Sequence, residues 1–144
     1  MTRHRPLVFT DTSALVAFFS KTDSCHLQAI ISLDVIKKHK IKLVISDYVF
    51  DETITTILVK GGHRLAVQVG DIILNGHIFE IAEIDATLKK QAWDYFKKHS
   101  DKTYSFTDCT SFVLMNDRDI VHYFSFDEDF KRAGFVDFYE CYKQ

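Results

Sequence analysis

The stretch Leu7-Val8-Phe9-Thr10-Asp11-Thr12-Ser13 decides how the chain folds. Leu7, Val8 and Phe9 make a continuous apolar run without helical spacing, entered from Pro6 and left through Asp11, Thr12 and Ser13, which favour turns and helix caps. This pattern predicts a strand buried on both faces that hands over to a helix. Such a strand needs a layer above it and another below, and the helical run Ala14–Ser20 supplies part of one. Asp11 then stands at the carboxyl end of a central strand, the edge of an open α/β sheet where ligands bind. Two roles are open to it: a cap for the helix, or a group with chemistry to do.

After this unit, strands and helices alternate. Helical spacing runs from Cys25 to Lys40 through Leu27, Ile30, Ile31, Val35 and Ile36, and Lys42–Ile45 reads as a second strand. Ser46 and Asp47 look like the cap of a third helix that Gly61 and Gly62 stop, and a fourth helix spans Arg64–Leu74. A third strand, Ile78–Ile84, leads through a capping Asp85 into a helix with Leu88, Ala92, Trp93 and Phe96 on one side. Beyond a polar loop, Ser100–Phe106, come a helix from Thr107 to Asn116, a strand Ile120–Phe124, a helical turn Glu128–Ala133 stopped by Gly134, and an edge strand Phe135–Phe138. Parallel neighbours need crossover connections, so the alternation predicts an α/β fold, three layers α/β/α around a central, mostly parallel sheet.

The 144 residues, 47% hydrophobic with thirteen Phe and no linker or repeat, suit a single domain over 1–144. Arg3 and Arg5 precede only three apolar residues, too few for a signal-peptide core, and no run suits a membrane span; a soluble, cytoplasmic protein is expected. Cys25, Cys109 and Cys141 lack the spacing of a disulfide framework or a zinc site. A formal net charge of −2 gives no global attraction for nucleic acid. The acids matter by position.

Asp117 and Asp119 precede the strand at Ile120 and belong to the amino edge, solvated. Asp127 follows that strand and returns to the carboxyl edge beside Asp11. Asp108 opens a helix that runs back along the sheet, so it too belongs to the carboxyl edge, sharing a helix face with Ser111, Phe112 and Met115. It could equally form a capping box with Ser105. The third helix carries Asp51 and Glu52 in its opening turns, and periodicity does not choose between them. Asp47 and Asp85 read as N-caps. Acids gathered at one edge without basic partners repel one another, which raises their pKa values or recruits a hard cation such as Mg²⁺ or Mn²⁺. Metal-assisted phosphodiester hydrolysis is a natural reaction for such a cluster.

Four pieces in order, VFTDTSAL, DETITTIL, SFTDCTSF and FSFDEDFKRAGF, resemble the PIN-domain ribonucleases, most closely the small VapC-type toxins of bacterial and archaeal toxin–antitoxin pairs. The resemblance implies a Mg²⁺- or Mn²⁺-dependent endoribonuclease in which Asp11, Glu52, Asp108 and Asp127 form the acidic cluster, and it chooses Glu52 over Asp51. Asp129, two residues on, could replace or assist Asp127. Thr12 and Ser13 match the hydroxyl residues after the family's first Asp and could hydrogen-bond its carboxylate. Ser125 stands where Thr is common, and Cys109 where a small residue is usual. An RNA substrate, an antitoxin protein and a homodimer follow as expected partners, with no membrane.

Basic residues cluster at Lys37–Lys42 and at Lys97–Lys102, each at a helix end where the macrodipole favours cations, and both suit the edge opposite the acids. Lys131 and Arg132 are better placed for a phosphate backbone. Phe18, Phe19, Val69, Ile72 and Ile73 offer apolar surface for a partner, unless they fill the core. Two rival readings remain: a non-catalytic binding protein of the same fold, and a phosphate-accepting receiver domain. The latter is disfavoured because the first strand ends in a lone Asp and VDFYE has no Lys.

Overall fold

The structure is a computed structural model that describes residues 5–144; Arg3 lies outside the described residues. Among these residues five strands, β1 (Leu7–Thr10), β2 (Lys42–Ser46), β3 (Phe79–Ala82), β4 (His122–Phe124) and β5 (Val136–Asp137), form one sheet in the order β3-β2-β1-β4-β5. All pairs are parallel, with Phe9 opposite Val44 on one side and Tyr123 on the other. The apolar run therefore lies at the centre, with Val8 and Phe9 fully buried.

Among the described residues eight helices connect and cover the strands: α1 (Thr12–Phe19), α2 (His26–Lys38), α3 (Asp47–Gly61), α4 (His63–Asn75), α5 (Ala86–Lys98), α6 (Phe106–Asp117), α7 (Asp129–Arg132) and α8 (Phe138–Tyr142). Side chains alternate across the pleat. Val8, Leu43 and Phe124 face a core shared with Ala29 and Ile36 of α2 and Phe138 of α8. Phe9, Val44 and Tyr123 face the larger core with Ile57, Val69, Leu88 and Phe112 from α3 to α6. The three layers follow. Gly62, at φ +90°, ends α3 and starts α4 in a backbone conformation that few other residues accept.

Several expectations need correction. Ser46, not Asp47, caps α3, accepting from Val49 N at 3.0 Å; Asp47 Oδ1 instead accepts from Ile84 N at 2.9 Å and ties β3's exit to α3. Asp85 caps α5 as expected. The last strand stops at Asp137, whose side chain caps α8. On α2 the buried positions are Ala29, Ser32 and Ile36, one helical stripe at spacings of three and four, while Leu27 falls off that stripe and is 77% exposed. Of the five residues offered as partner surface, Val69 and Ile73 are core, Phe18 and Phe19 are half-buried, and Ile72 is exposed. Among the described residues no helix is long and apolar enough to cross a membrane.

Candidate functional site

The chain leaves β1 toward β2 on one side of the sheet and later returns to β4 on the other. A crevice opens at that switch point, at the carboxyl ends of β1 and β4. Asp11 and Asp127 come from those two ends, Glu52 from α3 and Asp108 from α6, and all four line one cleft of about 520 Å³. Asp129 lines it too.

Asp11 is only 5% exposed. Its backbone occupies the N-cap position of α1, yet its side chain makes no capping hydrogen bond. Instead Oδ2 accepts from Ser125 Oγ at 3.0 Å and from Ser13 Oγ at 3.1 Å. The two serine oxygens are 3.0 Å apart, and they in turn accept from the backbone N–H groups of Asp127 and Phe126. A hydroxyl network thus fixes the β1 acid to the loop after β4. Burial pushes the Asp11 carboxyl up to about 6; the Ser125 hydrogen bond opposes that shift and the nearby Glu52 charge adds to it.

Asp108 fills both roles that the sequence left open. It forms the capping box with Ser105, Ser105 N donating to its Oδ2 and Asp108 N to Ser105 Oγ, both at 3.0 Å. Its carboxylate also joins Asp127 and Asp129, one oxygen from each lying within 4.8 Å of the others. Burial first, then the charges of Asp11, Asp127 and Asp129, raise Asp108 to about 7. Asp127 Oδ1 accepts from Asp129 N at 3.0 Å, holding the start of α7. Asp129 is pushed up by burial and by Asp127. Glu52 and Asp11 line the cleft but stand outside that close trio.

Basic groups are nearer than expected. Arg132 Nη1 reaches Asp129 Oδ1 at 3.4 Å, so it neutralises an acid of the cluster. Lys60 lines the cleft on the same face of α3 as Glu52 and Thr56, a spacing of four and eight residues that was readable in the sequence. Ser125 is the second residue that sequence reasoning undervalued; only its position after the β4 strand signals its contact with Asp11. Thr12, by contrast, accepts at its Oγ1 from the Thr53 hydroxyl at 3.5 Å. Of the two lysine clusters, the one at Lys97–Lys102 is not remote from the acids: Phe96 packs on Phe106, two residues before Asp108.

A PIN-domain family model matches residues 8–136. The 23S rRNA-specific endonuclease VapC20 of Mycobacterium tuberculosis is 34% identical over 132 residues, covering 91% of this chain and 97% of that protein. The crystal structure of VapC20, described as a sarcin-ricin loop cleaving toxin, superposes with a TM-score of 0.82 at 32% identity over 90% of this chain and 97% of that one. VapBC2 from Rickettsia felis, solved on a DNA fragment from its promoter, shares the fold with a TM-score of 0.66 at 14% identity, covering 91% of this chain and 96% of that one. Acids at the expected edge, the parallel sheet and these matches agree: the chain belongs to the PIN-domain family and is similar to the VapC toxins within it.

Proposed function

We propose that the chain is a divalent-metal-dependent endoribonuclease acting in the cytoplasm, and the toxin of a toxin–antitoxin pair. The observation that carries this reading is the convergence of Asp11, Glu52, Asp108, Asp127 and Asp129 on one cleft. The donor set fits a hard cation. It is all oxygen, three carboxylates lie within reach of a common ion, and Asp11 is buried with hydroxyl partners but no counter-charge among the described residues. Asp11, Glu52, Asp108 and Asp127 would hold Mg²⁺ or Mn²⁺, with Asp129 assisting Asp127. Such a cation, when bound, activates water and stabilises the oxygens of the phosphoryl group under attack.

The chain's own residues set the stage for that chemistry. Ser13 and Ser125 hold Asp11 in one orientation, and the capping box fixes Asp108 through its Oδ2. Lys60 supplies a cation on the cleft wall for a substrate phosphate. The 23S rRNA named for the M. tuberculosis relative is the first substrate to test. As partners we propose a second copy of the chain and an antitoxin whose arginines reach the carboxylates, with the partly exposed Phe18, Phe19 and Ile72 offering apolar contact surface.

Purified chain incubated with 23S rRNA should yield discrete fragments with Mg²⁺ or Mn²⁺ and none in EDTA. Intact RNA at every metal concentration would favour the non-catalytic alternative. Light scattering and co-expression with the neighbouring reading frame test the two partners: a monomer at about ten micromolar, in the weak-affinity regime, whose activity no neighbour suppresses would remove them.

A further inference from the structure

Trp93 is the chain's single tryptophan. Its ring stacks on Phe96 with centroids 5.6 Å apart and planes 16° apart, and both rings meet Phe106 edge-on at 6.3 and 6.5 Å. Helical spacing had grouped them with Leu88 and Ala92, but only those two are buried; Trp93 and Phe96 remain 49% and 41% exposed. Two stacked aromatic rings left in water mark an interaction surface. Lys97, His99 and Lys102 line the same hollow as the two rings, about 280 Å³ in volume.

The hollow borders the acidic cleft. Along the segment joining α5 to α6, residues alternate between the two: Lys102 and Tyr104 line the aromatic hollow, whereas Thr103 and Ser105 line the cleft. Resting on the ribonuclease reading, we propose that Trp93 and Phe96 form a stacking platform for an unpaired base of the RNA substrate, with Lys97 and Lys102 contacting the flanking phosphates. A single strand presents flat π faces and negative phosphates in turn, which aromatic rings beside lysines complement; a duplex hides those faces. Asp94 pairs with Lys90 and Lys97, and Asp101 with Lys102, but across Lys89–Lys102 five lysines stand against these two acids. A second copy of the chain is the poorer occupant, because a two-fold contact centred here would set Lys97 and Lys102 against their own copies.

Trp93 itself reports the test. Full-length chain in EDTA is titrated with a single-stranded RNA 12-mer while tryptophan emission is followed, and the expected result is saturable quenching that a duplex of equal length does not produce. Trp93→Ala and Phe96→Ala should weaken RNA affinity about five- to a hundredfold, measured by anisotropy of labelled RNA, and raise KM with kcat retained; Trp93→Phe should keep most of the affinity. Should the alanine variants misfold, the exposed Lys97→Glu and Lys102→Glu variants carry the test through loss of affinity and a shallower salt dependence. Unquenched emission at saturating RNA, or unchanged affinity in the folded variants, overturns the platform. So does a fall in oligomeric mass at unchanged RNA affinity, which would identify a self-interface. Quenching without cleavage at any metal concentration would defeat the nuclease reading and leave the platform standing; cleavage with unaltered KM in the variants would do the reverse.

Discussion

The two walls of the cleft are built on opposite terms. On one, Asp11 is almost wholly buried behind β1 and held by two serine hydroxyls; on the other, Asp127 is exposed, and Asp129 beside it leans on Arg132. The ionised form of the first is costly, whereas on the second Asp127 is solvated and Asp129, itself largely covered, has Arg132 to offset part of its charge. A buried acid with no cationic partner among the described residues either keeps its proton or draws in a cation, and for Asp11 we propose the second course. The difference assigns unequal weight to the acids: the buried wall fixes geometry, and the exposed rim completes it.

The largest expected effects fall on Asp11 of the buried wall and on Asp108, the half-buried member of the trio. Asp11→Asn or Asp108→Asn should lower RNA cleavage at least about a thousandfold while leaving circular dichroism unchanged, whereas Asp129→Asn should cost only about tenfold. An equal loss at Asp129 would erase the distinction between the walls and give Asp129 a full ligand's role.

Proton linkage sharpens the same contrast. Asp11 is raised from 3.8 to about 6 and Asp108 from 3.8 to about 7, so across that interval the folded chain binds more protons than the unfolded one. Stability of the metal-free chain must therefore be greatest below about pH 4 as far as these two groups are concerned, and fall as pH rises through 6 and 7. For Asp11 alone the shift corresponds to about 3 kcal/mol. Thermal denaturation in EDTA should show this contribution disappearing in Asp11→Asn, and Mg²⁺ or Mn²⁺ should offset the fall in the parent chain at pH 8. A pH dependence identical in both chains would contradict the assignment.

Hydroxyls that have partners and hydroxyls that lack them should separate next. Ser125→Ala frees Asp11 from the β4 loop and should lower activity or metal affinity about ten- to a hundredfold. Thr10, one residue before Asp11, buries an Oγ1 without a hydrogen bond, so Thr10→Val should be neutral or stabilise by about 1 kcal/mol in a denaturant titration. The smallest effect belongs to the amino edge: Asp117→Asn, exposed and far along α6 from Asp108, should change stability by under about 0.5 kcal/mol and leave cleavage untouched.

Much of this was legible in the residues because strand burial and edge placement are local signals. Leu7–Ser13 announced a central strand with an acid at its carboxyl end, and Asp108 and Asp127 followed from the direction of α6 and β4. The serine network was not legible, since Ser13 and Ser125 are 112 residues apart and meet only once β1 and β4 pair. Nor was the exposure of Trp93 and Phe96, because helical spacing separates faces without telling which apolar residue a neighbour covers. Nor was the contact of Arg132 with Asp129, which a one-turn helix brings to 3.4 Å.

The central claim is that the carboxylates of this cleft work through a divalent cation on RNA. Cleavage of 23S rRNA followed across a Mn²⁺ titration, with parent and Asp108→Asn chains side by side, tests it most directly. The parent should cut only when Mn²⁺ is present and lose all activity in EDTA, while the variant stays silent at every concentration. Cleavage by the parent that persists unchanged in EDTA, or a variant as active as its parent, would contradict it.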